Sequence, residues 1–141
     1  MKIIIYIVYV IIFTYCYYFL NKKLSNKSIL ILYPLVFFLS IYPLKILYNA
    51  ILPTIGAVLA KEYLIVLLFA IAMITLFNFS YGIVNMIIRK QTSFHQSYGT
   101  PVKGHIKWFF KNATNFNNLY HLFFYSGGII LYTVVIFKSK I

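Results

Sequence analysis

The stretch at positions 63–88, YLIVLLFAIAMITLFNFSYGIVNMII, decides the fold class. Its 26 residues carry no charge, and about 20 consecutive apolar residues suffice for a helix to cross a hydrocarbon core. The run is continuous, without the polar–apolar alternation of a membrane barrel strand. In lipid every backbone N–H and C=O must be paired within the protein, and a helix achieves this alone. The stretch therefore reads as a transmembrane α-helix.

Three further apolar runs flank it. Residues 3–20 and 119–137 are uncharged, the latter ending at Lys138. The run 29–52 contains Pro34, Pro43 and Lys45. Proline removes a backbone donor and bends a helix, while Lys45 sits near the far end, where its stem can snorkel to an interface. The expectation is an all-α integral membrane protein, a single domain over 1–141. It has about four transmembrane helices, or three if 29–52 is re-entrant, plus an amphipathic interfacial segment near 103–116. Lys2 followed by an apolar run has the outline of a secretion signal, but the run is long for one and no A-x-A-like site follows. Asn21-Lys22-Lys23 reads as a stop-transfer flank, so a retained first helix is expected.

Composition agrees with this reading. Hydrophobic residues make up 62% of the 141 positions and charged residues 10%, against roughly 25% charged in a soluble domain. Thirteen Lys and Arg face a single acid, Glu62, for a net charge of +12. Such a charge raises the question of nucleic acid. The basic residues, however, lie between the apolar runs, where they mark membrane boundaries, and no nucleic-acid partner is expected. With four spans, one side carries Lys22, Lys23, Lys27, Arg89, Lys90, Lys103, Lys107 and Lys111. The other carries Lys2, Lys45, Lys61, Lys138 and Lys140. The positive-inside rule places the polar basic loop 89–118 inside, in matrix or cytoplasm, and both termini outside.

The segment 103–116 reads KGHIKWFFKNATNF. Lys103, Lys107 and Lys111 recur every fourth position, on one face of a helix, with Trp108 on the flank. A basic face, an apolar face and a tryptophan describe a helix in the headgroup plane, and the lysines suit an anionic, cardiolipin-like phospholipid. A loop packed on a partner subunit is the competing reading. In the 63–88 run, Asn78, Tyr81, Gly82 and Asn85 form a stripe at i, i+3, i+4, i+7. Small and amide residues on one face let helices approach and hydrogen-bond; a polar transport path is the sharper alternative. Ser126-Gly127-Gly128 allows close contact or a kink in the last run.

Chemistry-bearing residues are sparse. Glu62 stands at a boundary beside Lys61, and there is no Asp, so acid–base catalysis lacks its positioned groups. Cys16 is the lone cysteine, and no disulfide or Cys-based metal site can form within the chain. Of His95, His105 and His121, only the last enters an apolar run, which leaves a bis-histidine haem without its second ligand. No catalytic, cofactor or metal site is expected, and the chain is not expected to act as an enzyme on its own. Abundant Ile, Phe, Tyr, Asn and Lys with scarce Ala and Gly is the bias of an AT-rich gene. The expectation is a structural or accessory subunit of a larger membrane complex. Its expected setting is the mitochondrial inner membrane, in a respiratory-chain or ATP synthase complex, with other membrane subunits and anionic phospholipid as partners. The alternative is a small autonomous bacterial transporter or lipid flippase acting as a homo-oligomer.

Overall fold

One residue, Gly56, separates the two longest helices. In the computed structural model, which describes residues 2–98, 104, 108, 112–139 and 141, the first helix, α1, runs Lys2–Lys23. A π-helical stretch, Tyr15–Leu20, lies inside it. The second, α2, spans Asn26–Ile55; α3 spans Ala57–Tyr98; α4 spans Ala113–Lys138. All four are long and apolar enough to cross a membrane.

Local chemistry sets the turns. Ser25 caps α2, its Oγ accepting from the Ser28 N–H at 3.1 Å, which satisfies one orphan donor of the first turn. Gly56 adopts φ +81°, a conformation that costs other residues steric strain, and so reverses the chain within one residue. Pro34, Pro43 and Pro53 all lie inside α2, where each withholds one backbone N–H. The 30-residue helix nevertheless continues through them. The polar stretch from position 89 is not loop throughout, since α3 carries on to Tyr98. Between 89 and 98 there is no Gly or Pro to stop a helix; these come only at Gly99 and Pro101. Thr92 Oγ1 also donates back to the Ile88 carbonyl at 2.8 Å.

The core is built mainly of rings. Tyr9, Phe13 and Tyr17 of α1 meet Val66, Ala70, Met73 and Phe77 of α3 and Tyr132 and Ile136 of α4. Helix α2 packs along α3, burying Ile29, Tyr33 and Leu44. Outward positions are apolar on every helix: Ile4 and Ile11 on α1, Phe38 and Leu39 on α2, Leu76 and Ile87 on α3, Phe123 and Ile130 on α4 are all exposed. Tyr9, Tyr17, Tyr33, Tyr132, Asn21, Asn78 and His121 are buried beside Ile29, Leu44 and Ile136, while many other isoleucines and leucines face out. An exterior this apolar, with polar groups inside, is compatible with an apolar surrounding.

The helices are in a definable register. Lys2 Nζ donates to the Ser139 carbonyl at 2.6 Å, so the start of α1 is level with the end of α4. Ile4 and Val8 line a groove with Leu67 and Ile71, so α1 begins level with Val66 and Leu67 on α3. The π-helical stretch maintains the inward line of α1. A residue every fourth position drifts by roughly 40° per step in an α-helix. The wider i→i+5 turn, seen in the Asn21 N–H bonding to the Cys16 carbonyl, rotates it back. Tyr9, Phe13, Tyr17 and Asn21 are all buried as a result.

Candidate polar clamp

Two hydrogen-bond chains cross the bundle near the α1–α2 turn. In the first, the Tyr33 hydroxyl of α2 donates to Asn21 Oδ1 at 2.8 Å. Asn21 Nδ2 donates to Asn78 Oδ1 of α3, and Asn78 Nδ2 donates to the Ile74 carbonyl at 2.7 Å. Three helices are thus joined through one asparagine pair, and both asparagines are buried. The chain ends on a main-chain carbonyl, which has a lone pair to spare while holding its helical bond.

The second chain centres on His121 of α4, also buried. Asn85 Oδ1 lies 3.1 Å from Asn117 Nδ2, which donates to it, and 3.4 Å from His121 Nε2. An amide oxygen can only accept, so Nε2 carries the ring proton with the amide in this orientation. The other ring nitrogen, Nδ1, then accepts from the Tyr17 hydroxyl at 3.2 Å. A neutral imidazole is thereby used at both nitrogens. The ring also stacks on Tyr81 at 4.2 Å between centroids and meets the Tyr17 ring edge-on at 5.9 Å.

The 78/81/82/85 stripe divides between two neighbours. Asn78 and Gly82, four apart, face α1 and α2: a Cβ at Gly82 would come within 2.8 Å of Ile29 Cγ2. Tyr81 and Asn85, also four apart, face His121 and Asn117 of α4. Two turns of α3 therefore serve two interfaces, each with its own i, i+4 pair.

The basic segment fares differently. Lys103, Lys107 and Lys111 lie outside the described residues. Trp108 is described; it is 59% exposed and meets Phe116 edge-on at 5.6 Å. The Asn112 side chain donates to the Trp108 carbonyl at 2.9 Å.

Asn21, Tyr33, Asn117 and His121 were not singled out by sequence as a constellation. A signal was present for Asn21, which continues the four-residue spacing of Tyr9, Phe13 and Tyr17, but the adjoining lysines disguised it as a flank. Cys16 is half-buried and forms no disulfide among the described residues. Among the described residues, no group of three or more His, Cys, Asp or Glu side chains comes together to hold a metal ion. Against known protein families, characterised proteins and solved structures, the chain finds no match.

Proposed function

We propose that this chain is an integral membrane protein with four transmembrane helices, and that it serves as a non-catalytic structural subunit of a larger membrane complex. The observation that carries the reading is the clamp. Its asparagine, tyrosine and histidine groups are spent mainly on one another, as packing devices are. Amides and a neutral imidazole tie α1, α2, α3 and α4 at one level, and what they do chemically is hold helices. The inverted surface, ringed by isoleucine, leucine and phenylalanine, supports a lipid surrounding.

The setting we propose is the mitochondrial inner membrane, in a respiratory-chain or ATP synthase complex. This rests on composition, the excess of Ile, Phe, Tyr, Asn and Lys over Ala and Gly. We place the 21–28 and 89–118 segments on the matrix side and both termini on the other by the positive-inside rule. Anionic phospholipid is the proposed lipid partner. Exposed Lys22, Lys23, Lys27, Arg89 and Lys90 share that end of the bundle and suit its headgroups.

Extraction from native membrane in mild detergent, native electrophoresis and mass spectrometry of co-migrating chains test the proposal. The expected result is a high-mass band with a fixed set of companions. Recovery as a lone homo-oligomer would overturn it in favour of a small transporter or flippase.

A further inference from the structure

The packing leaves one buried hydrogen-bond donor over. Tyr132 of α4 is fully buried, and its hydroxyl has no hydrogen-bond partner among the described residues. Tyr9 and Tyr132 approach from facing helices and stack at 3.8 Å. The Tyr9 ring reaches from α1 towards α4, where its hydroxyl donates to the Gly128 carbonyl. The Tyr132 ring runs the other way, so its hydroxyl end lies on the α1–α3 side. A groove of about 250 Å³ opens there. Val8 and Ile12 of α1 form one wall and Leu67 and Ile71 of α3 the other, and Tyr132 is the one described α4 residue that lines it.

The depth of the site decides what can accept from that hydroxyl. On the four-span reading, α1 crosses from Lys2 to Lys22, a rise of about 30 Å, which matches a hydrocarbon core. Tyr9 lies about 10 Å along α1 from Lys2, so the stacked pair sits well inside the core. Bulk water is absent there and lipid tails accept no hydrogen bond, which makes an unpaired hydroxyl costly. A trapped water needs two to four polar partners. Among the lining side chains only Tyr9 and Tyr132 are polar, and Tyr9 is already engaged. Phospholipid esters belong to the interfacial layer outside the core and stop short of the site. The acceptor that fits is a carbonyl oxygen on a wholly lipid-soluble molecule.

The groove has the size for a ring. A dry apolar cavity of roughly 150 Å³ holds benzene, so about 250 Å³ takes a six-membered ring with small substituents. At Leu67 it meets a second apolar groove, of about 310 Å³, which runs past Ile51 to Tyr63 and has room for a tail. Val8 and Ile12 are each about half exposed, so the site opens sideways to lipid, the route by which such a molecule arrives.

We propose that the α1–α3 groove binds an isoprenoid quinone, with one ring carbonyl oxygen accepting a hydrogen bond from the Tyr132 hydroxyl. This rests on the four-span reading, which sets the depth, and is independent of the subunit reading. It is a proposal of binding alone: no carboxylate, imidazole, amine or thiol lines the groove, so the ring is held without acid–base chemistry.

The full chain in quinone-free bicelles, titrated with a short-tailed prenyl benzoquinone, tests this. Binding is measured above partition into protein-free bicelles, and the carbonyl stretch of the bound probe is read by infrared difference spectroscopy. Saturable binding is expected, with one carbonyl band shifted to lower frequency. Tyr132→Phe keeps the ring and its stack on Tyr9; it should weaken binding roughly three- to tenfold and return the band to its unbonded position. Val8→Trp, which fills the groove from its lipid-exposed wall, should abolish binding. Tyr17→Phe removes a hydroxyl elsewhere and should change neither readout. Equal binding of the same prenyl chain on a plain benzene ring overturns the inference, because the hydroxyl is then unused. Preference for a fatty acyl ester overturns the choice of ligand. Binding that persists in both Tyr132→Phe and Val8→Trp overturns the site, and binding no greater than partition overturns the whole inference. In each of these cases the four-span reading stands. A chain that fails to insert into bicelles overturns that reading and the inference with it.

Discussion

The two ends of the bundle are held by different means. Near the α1–α2 turn, amides, hydroxyls and an imidazole cross between helices in donor–acceptor chains. Near the termini ring-on-ring contacts dominate, with single hydrogen bonds to the Gly128 and Ser139 carbonyls beside them: Tyr9 stacks on Tyr132 at 3.8 Å and Phe13 on Tyr125 at 5.5 Å. There Gly128 lets α1 and α4 approach closely. Between helices in lipid, apolar contact brings no hydrophobic gain, because tails are as apolar as leucine. What remains is dispersion, which rewards shape, and hydrogen bonding, which rewards identity. The aromatic end relies mainly on the first and the polar end mainly on the second, and each should fail in its own way.

The largest effect is expected where shape has no slack. A Cβ at Gly128 would lie 2.6 Å from Phe13 Cζ, and Phe13 is hemmed in by Tyr9, Tyr17, Phe77 and Tyr125. Gly128→Leu should destabilise the bundle by about 3 kcal/mol, at the upper end of overpacking costs, as measured by denaturant titration in bicelles. Phe13→Leu in the same chain should recover part of the loss. No recovery would mean that the aromatic end is not governed by shape.

Identity should govern the other end. Asn21→Leu keeps the γ-branched shape but leaves the Tyr33 hydroxyl and Asn78 Oδ1 without their partner, at a cost of about 2 kcal/mol. The cycle with Asn78→Leu should show coupling of about 1 kcal/mol, within the range found for hydrogen bonds between transmembrane helices. His121→Phe preserves the stack on Tyr81 but removes the acceptor for the Tyr17 hydroxyl, and should cost about 1 kcal/mol. Additive losses across the asparagine cycle would break the contrast.

These differences also explain what could be read in advance. The four apolar runs were visible because a span needs length and little else. Helix bounds were less visible: α2 keeps its helix through Pro34, Pro43 and Pro53 because α3 supports one side, and α3 outlasts its apolar run because no breaker precedes Gly99. The stripe at Asn78, Tyr81, Gly82 and Asn85 was readable as a face, but its division between neighbours depends on how three helices surround α3. Asn21 was hidden because its burial depends on the π-helical turn, which leaves no mark in composition. His121 was weighed as a metal ligand, whereas its partners are hydroxyl and amide groups from 36 and 104 positions away.

The smallest expected effect is the sharpest test of the contrast. Both ends contain buried tyrosine hydroxyls, but they are used differently. Tyr9 OH donates to the Gly128 carbonyl at 3.1 Å and Tyr17 OH to His121, whereas the buried Tyr132 hydroxyl has no hydrogen-bond partner among the described residues. Tyr132 is held by its ring alone, so Tyr132→Phe keeps the stack on Tyr9 and removes a polar atom that is costly to leave unpaired. It should leave stability unchanged or raise it by a few tenths of a kcal/mol, while Tyr9→Phe and Tyr17→Phe should each lose about 1 kcal/mol. If Tyr132→Phe instead costs as much as Tyr17→Phe in the same bicelle titration, the Tyr132 hydroxyl makes a polar contact of its own, and the reading of that residue as held by its ring alone is wrong.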